Sequence, residues 1–443
     1  MDPLILALIY KICWTALGSC TLYGGVLALK THVKLASAEL GGRKDSKRLL
    51  GDCIQLSKNF SLNLKTCFEH ILIVAPTGAG KTSSEYMPNL LQDKIKGSII
   101  LTDTKGELYE KTHKYQESIG RRCILYKPME DGISYNPLSE CKNDMEIMQL
   151  AQNLLINGGL TMELMTGKKG GNDIFVEMAQ SLLCATLMYC KTIPEALRMI
   201  LNSDSETIEQ LLSNGGKNVQ EQFNIFKTSM ESPKTMSSIK ITFATKLQLF
   251  ISKLSILQTD FTAEDLRKEP IALYISYPAN KAIYLSPYMA CFFSQFIDHL
   301  IDSKGLPVYL FLDEFANIGL LSNFANNIAT ARSSEICFMI CLQSITQLKQ
   351  IYGDSNAKSI LNNTKCKVIL PGLSDLETLN YISALCGFTE VKIDDRLMTK
   401  SLFTADEVRR LKDNTALLIM DNKLPIVDNL NIYYNQKKYL NNL

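Results

Sequence analysis

Short apolar runs recur along the chain at 70–75 (HILIVA), 98–103 (SIILTD), 122–126 (RCILY), 271–276 (IALYIS), 308–313 (VYLFLD), 336–342 (ICFMICL), 366–370 (CKVIL) and 416–420 (ALLIM). Each is strand-sized and continuous rather than alternating, and helix-sized stretches separate them. This pattern predicts strands buried on both faces of a mostly parallel sheet, the core of a doubly wound α/β fold. Between about 140 and 265 the strand signal vanishes, and apolar residues recur at helical spacing, as in FVEMAQSLLCATLMY at 175–189. We read this stretch as an all-α insertion between sheet strands. Glycine pairs at Gly158-Gly159, Gly170-Gly171 and Gly215-Gly216 read as turns within it.

The first thirty residues carry a different signal. Leu4 to Leu29 is almost wholly apolar, long enough for the roughly 20 residues that a bilayer crossing needs. Lys11 interrupts it, but could snorkel to the headgroups, with Tyr10 and Trp14 as interfacial anchors. The basic stretch that follows, with Lys30, Lys34, Arg43, Lys44, Lys47 and Arg48, would keep the rest of the chain inside. The expectation is an N-terminal transmembrane helix, single-pass in a bacterial inner membrane, with the body in the cytoplasm. A buried core helix is the alternative.

Composition narrows the class. The 443 residues are 46% hydrophobic and 21% charged, a globular balance without low-complexity segments. Net charge is only +2, and the basic stretch accounts for more than all of it. A broad nucleic-acid-coating surface is therefore excluded, and any DNA contact must come from a few side chains and backbone amides lining a channel. The 13 cysteines are scattered, form no C-x-x-C and lie mostly in apolar runs, so they read as reduced, buried thiols.

Candidate chemistry begins at Ala75-Pro76-Thr77-Gly78-Ala79-Gly80-Lys81-Thr82-Ser83. Glycines and small residues between a strand and a helix, here expected from Lys81 to about Leu91, let backbone N–H groups close around a phosphate. Lys81 would supply charge to the β- and γ-phosphates of ATP and Thr82 a hydroxyl to Mg²⁺. A second element, VYLFLDE at 308–314, ends an apolar strand in two carboxylates. It offers Asp313 to the Mg²⁺ shell and Glu314 to polarise water.

With these two, the runs TDTKGEL at 102–108, LFLDEFANIG at 310–319 and ATARSSEICFMICLQSITQLKQIYG at 329–353 resemble the type IV secretion coupling proteins, the conjugative DNA-transfer ATPases (TraG/TraD-like). The similarity spans about 50–435. It implies a RecA-like P-loop NTPase fold working as a homohexameric ring, with DNA in the pore. The partners it implies are a relaxase or other secreted substrate and type IV secretion channel components. It also implies that Gln343 senses the γ-phosphate or orients water and that Arg332 reaches a neighbour's nucleotide. The expected organisation is an anchor at 1–30, a basic linker at 31–50, a nucleotide-binding domain at 51–139 and 266–443, and the all-α insertion at 140–265. Two features depart from the family: Thr104 stands where proline is usual, and one span is expected where many members have two. A translocase for chromosome segregation or packaging, and a docking scaffold that binds ATP without hydrolysing it, are the competing readings.

Overall fold

The computed structural model describes residues 36–167, 174–229, 233–251, 256, 258–393 and 396–443. Its strands are β1 (Leu50–Gln55), β2 (Ser61–Leu62), β3 (Ile71–Val74), β4 (Ser98–Asp103), β5 (Arg122–Tyr126), β6 (Ile271–Ser276), β7 (Val308–Leu312), β8 (Ile336–Leu342), β9 (Cys366–Ile369), β10 (Phe388–Ile393), β11 (Arg396–Ser401), β12 (Thr415–Met420) and β13 (Ile426–Asn429). Nine of them form one sheet in the order β13-β12-β9-β3-β8-β7-β4-β6-β5. From β9 to β5 the pairing is parallel, and β12 and β13 add antiparallel at one edge. All eight expected runs are strands of this sheet. β13 gave no signal because it is an outer strand whose short sequence, IVDN, is half polar.

The continuous apolar runs follow from burial on both faces, since alternate residues face different cores. Leu72, Val74, Leu310, Leu312, Ile340 and Leu342 join one buried cluster, while Ile71, Ile73, Tyr309, Phe311, Met339 and Cys341 join the other. Among the described residues the cysteines are free thiols, buried or half-buried, as their apolar settings required.

Between β5 and β6 the described chain is helical, from Asp144–Thr166 through Pro233–Lys246 to Ala263–Lys268. Gly158-Gly159 is not the expected turn: both glycines sit inside helix Asp144–Thr166. A Cβ on Gly158 would lie 2.5 Å from the Lys246 carbonyl oxygen, so the pair forms a notch into which helix Pro233–Lys246 fits. Gly215-Gly216 joins two helices as expected, and Gly170-Gly171 lies outside the described residues.

The membrane expectation needs correction. Among the described residues no helix is long and apolar enough to cross a membrane, and a single-pass membrane protein is not supported. The two longest helices, Asp144–Thr166 with 23 residues and Ala282–Asp302 with 21, have the length but pack together against the sheet. The segment Leu4 to Leu29 lies outside the described residues.

After the phosphate loop the expected helix begins as a π-helical turn, Thr82–Tyr86, before continuing as Met87–Leu90. Pro88 has no N–H to offer the Ser84 carbonyl, and its ring would press on that carbonyl in a regular helix; the wider turn relieves both. Glu85 is fully buried there, and burial pushes its carboxyl pKa up to about 8. The carboxyl is therefore neutral in the fold at pH 7 but ionised in the unfolded chain, so stability falls as pH rises from 4.5 towards 8. Glu85→Gln should remove this dependence and stabilise the protein at pH 7 by up to about 3 kcal/mol. Urea unfolding at pH 5 and pH 7 measures the difference.

Candidate nucleotide-binding site

The carboxyl ends of β3, β8, β7 and β4 lie side by side, since these are consecutive strands of the sheet. Each carries one part of the expected site. At the end of β3, Ala75 is buried and donates its N–H to the Leu342 carbonyl at 3.0 Å. Pro76 to Ala79 turns back on itself through an Ala79 N–H to Pro76 carbonyl bond of 3.3 Å. Gly78 and Gly80 take φ of 83° and 86°, the left-handed region that residues with a Cβ avoid. Ser83 and Ser84 hydroxyls donate to the Gly80 carbonyl at 2.9 and 3.0 Å, which fixes the exit from the loop.

Lys81 is 8% exposed, and its ammonium lies 3.3 Å from Asp313 Oδ1, across the end of β8. Burial opposes its charge, but Cys341, Asp313 and Glu314 nearby more than offset that and hold its pKa above the usual lysine value. Burial pushes the Cys341 thiol far up, which leaves the 3.3 Å contact with Asp313 as the direct one. The buried ion pair is therefore the electrostatic centre of the site.

Glu314 follows Asp313 in a left-handed conformation, φ 48° and ψ 50°. A non-glycine residue there costs energy and is held only by its surroundings. The holders are visible: Asn317 Nδ2 donates to Glu314 Oε2 at 2.8 Å, and Gln343 Nε2 donates to Oε1 at 3.3 Å. The Glu314 N–H itself donates to Asp313 Oδ1 at 3.0 Å. Gln343 thus meets the acidic pair directly from the end of β8.

A cleft of about 430 Å³ runs over these strand ends, lined by Thr77, Gly78, Gly80, Lys81, Thr82 and Ser83 together with Asp313 and Glu314. Asp103 and Lys105 line it as well. Burial raises the Asp103 pKa, although backbone N–H groups at the start of helix Glu107–Ser118 oppose this, Tyr109 N–H at 2.9 Å among them. Thr102 was not singled out from the sequence, yet its hydroxyl accepts the Asp313 N–H at 2.7 Å and so ties β4 to the acidic pair. Two aromatic residues of the wall, Tyr433 and Tyr434, belong to no motif and gave no signal.

Arg332 is not brought to this cleft. It sits in the turn Ala331–Ser334 before β8, with its guanidinium 2.8 Å from Glu69 at the amino end of β3. The length of β3, about 13 Å for four residues, separates that end from the phosphate loop. Next to Glu69, His70 is buried and its pKa falls to about 4, burial being the main cause. It is thus neutral at pH 7, with Nε2–H donating to the Ile328 carbonyl at 2.7 Å and Nδ1 accepting the Phe338 N–H at 3.2 Å. The arginine turn is pinned to the far edge of the sheet.

A mainly parallel sheet with a glycine-rich loop after one strand, a lysine bridging to an acidic strand end two strands away and a cleft over both defines an α/β protein with its candidate ligand site at the carboxyl edge of the sheet. The chain belongs to the type IV secretory system conjugative DNA transfer family, whose pattern it matches over residues 41–443. It is 26% identical to protein VirD4 of Agrobacterium fabrum over 392 residues, covering 81% of this chain and 57% of that protein. It is also 26% identical to the conjugal transfer protein TraG of Escherichia coli, covering 76% of this chain and 58% of that one. The chain therefore spans a little over half the length of these relatives. In fold it is similar to plasmid coupling protein TrwB in complex with ADP and Mg²⁺, with a TM-score of 0.68, 18% identity, and 90% and 93% of the two chains covered.

The Thr102 link can be tested alone. Thr102→Val keeps the volume but strips the half-buried Asp313 N–H of its acceptor, which should cost about 1–3 kcal/mol. Thr102→Ser should restore most of it, as read by urea denaturation.

Proposed function

We propose that this chain is an ATP-driven coupling protein that moves DNA, alone or joined to a relaxase, towards a type IV secretion channel. The observation that carries the reading is the Lys81–Asp313 pair beneath a cleft at the sheet's carboxyl edge, in a member of this family. TrwB, similar in fold, takes ADP and Mg²⁺. On this reading residues 51–139 and 266–443 form the nucleotide-binding unit and residues 140–265 the all-α unit.

The chemistry follows from the side chains in place. Incoming phosphates compete with Asp313 for the Lys81 ammonium, so the lysine turns to the β- and γ-phosphates and the carboxylate is released. A hydroxyl and a carboxylate on one cleft wall suit Mg²⁺, which favours few protein oxygens and keeps its waters and phosphate ligands. Thr82 and Asp313 would hold it, and when bound it supplies charge neutralisation at the phosphates. Glu314 accepts a proton from the attacking water, and Gln343 and Asn317 keep its carboxylate in one orientation.

Arg332 serves a neighbour. Its side chain is half exposed, so solvent screens its contact with the more buried Glu69, and a stronger acceptor can draw the guanidinium away. In a head-to-tail ring, for which we propose six copies, one subunit's edge meets the next subunit's cleft. The guanidinium then stabilises charge on the neighbour's γ-phosphate.

Three variants test this. Glu314→Gln should bind ATP with near-parental affinity yet lose at least about 10²-fold in turnover, the scale of a lost general base; loss of binding as well would make Glu314 structural. Lys81→Ala and Arg332→Ala should each abolish DNA-stimulated hydrolysis. Mixed together they should recover part of it, because a mixed ring contains interfaces with both groups intact. Parental turnover by dilute, monomeric Arg332→Ala protein would reject the role in trans.

A further inference from the structure

We propose that the segment following β13 supplies the nucleoside-binding end of the cleft, with Tyr433 and Tyr434 forming a corner that receives the base of the nucleotide. This deepens the nucleotide reading and rests on it.

The segment is built onto the phosphate-loop side of the molecule. Asn442 Nδ2 donates to the Leu91 carbonyl at 2.9 Å, just beyond the helix that leaves the loop. Asn431 is buried; its Nδ2 donates to the Tyr439 hydroxyl at 2.8 Å, and its Oδ1 accepts from Gln436 Nε2. Tyr439 is itself buried in the core on that face. These bonds fix the turn Tyr433–Asn435 between them, and the turn packs on Thr82–Tyr86.

What the turn presents is aromatic. Tyr434 is 54% exposed, although an aromatic ring gains most from being covered. The two rings stand at 79° with centroids 5.3 Å apart. A planar base laid on one face therefore meets the edge of the other, the arrangement that aromatic quadrupoles favour. Both rings line the same continuous cleft as Lys81 and Thr82, so a ligand with its phosphates at the loop can reach them without leaving it. Lys111 stands on the same wall, 3.3 Å from Glu107. Its partial burial is outweighed by Glu107 and the Tyr433 hydroxyl, which hold its pKa above the usual value, so a fixed positive charge flanks the corner.

A π-face reads every base, since stacking needs no particular hydrogen-bonding edge. The corner should therefore strengthen ATP and GTP binding alike. Calorimetry on the full chain with Mg²⁺ separates the two ends of the cleft. Tyr434→Ala should weaken ATP and GTP by roughly 5- to 100-fold, the scale of losing one stacked base, and leave inorganic tripolyphosphate binding unchanged. Tyr434→Trp should restore the nucleotides. Because the side chain is exposed, the variant should fold, as a thermal melt checks. Unchanged ATP affinity in Tyr434→Ala, or an equal loss for tripolyphosphate, would overturn the proposal. Failure of the underlying reading looks different: Lys81→Ala would then bind tripolyphosphate as tightly as the parent.

Discussion

A sheet with both faces covered must satisfy every interior peptide group within its own ladder, because no water reaches it. In β3, β8 and β7 this chain meets that constraint with near-continuous apolar sequence, and β4 keeps its polar residues, Ser98, Thr102 and Asp103, at its two ends. Polar chemistry is confined to the strand ends. The order β3-β8-β7-β4 then decides which ends are neighbours, and so brings the loop of β3, the glutamine after β8, the acidic pair after β7 and Thr102 of β4 to one edge. Ligands of open α/β sheets lie at such carboxyl edges for the same reason.

Within that edge the interactions differ in strength and therefore in exchangeability. Lys81 and Asp313 are largely buried, and removing either leaves a charge without a partner in a poorly solvated place, which is costly. Arg332 and Glu69 form a pair of the same kind of groups with the arginine half exposed, where solvent screens the gain. The first pair can be replaced only by another strongly charged ligand. The second yields to almost any better acceptor.

The sheet was legible in the sequence because double-sided burial writes itself as unbroken apolar runs. The phosphate loop and acidic pair were legible because their residue types are tied to fixed positions after strands. Gly158-Gly159 misled, since glycine serves close helix approach as readily as a turn, and only the facing Lys246 carbonyl distinguishes the two. Thr102, Asn317 and the tyrosines after β13 were silent for a different reason. Thr102 depends on a partner 211 residues distant, the tyrosines on a cleft whose other walls come from far earlier in the chain, and Asn317 on how the turn after Glu314 is oriented; a local pattern records none of these. His70 opens the apolar run of β3 and gave no signal of its own, although it fastens β8 to the helix Phe324–Thr330 that leads into the arginine turn.

β3 is four residues long, and both of its ends are committed: one opens into the glycine-rich loop, and the other carries Glu69 against Arg332 and His70 against the helix that precedes the arginine turn. Each of its side chains, Ile71 to Val74, is fully buried, alternately in the core on one face of the sheet and the core on the other. A substitution in this strand would disturb both ends together. On the proposed ring reading, genetic screens that sort variants into nucleotide-binding and assembly classes will find β3 in both, and complementation between alleles, which relies on separable defects, should fail for this strand while succeeding for the loops on either side of it.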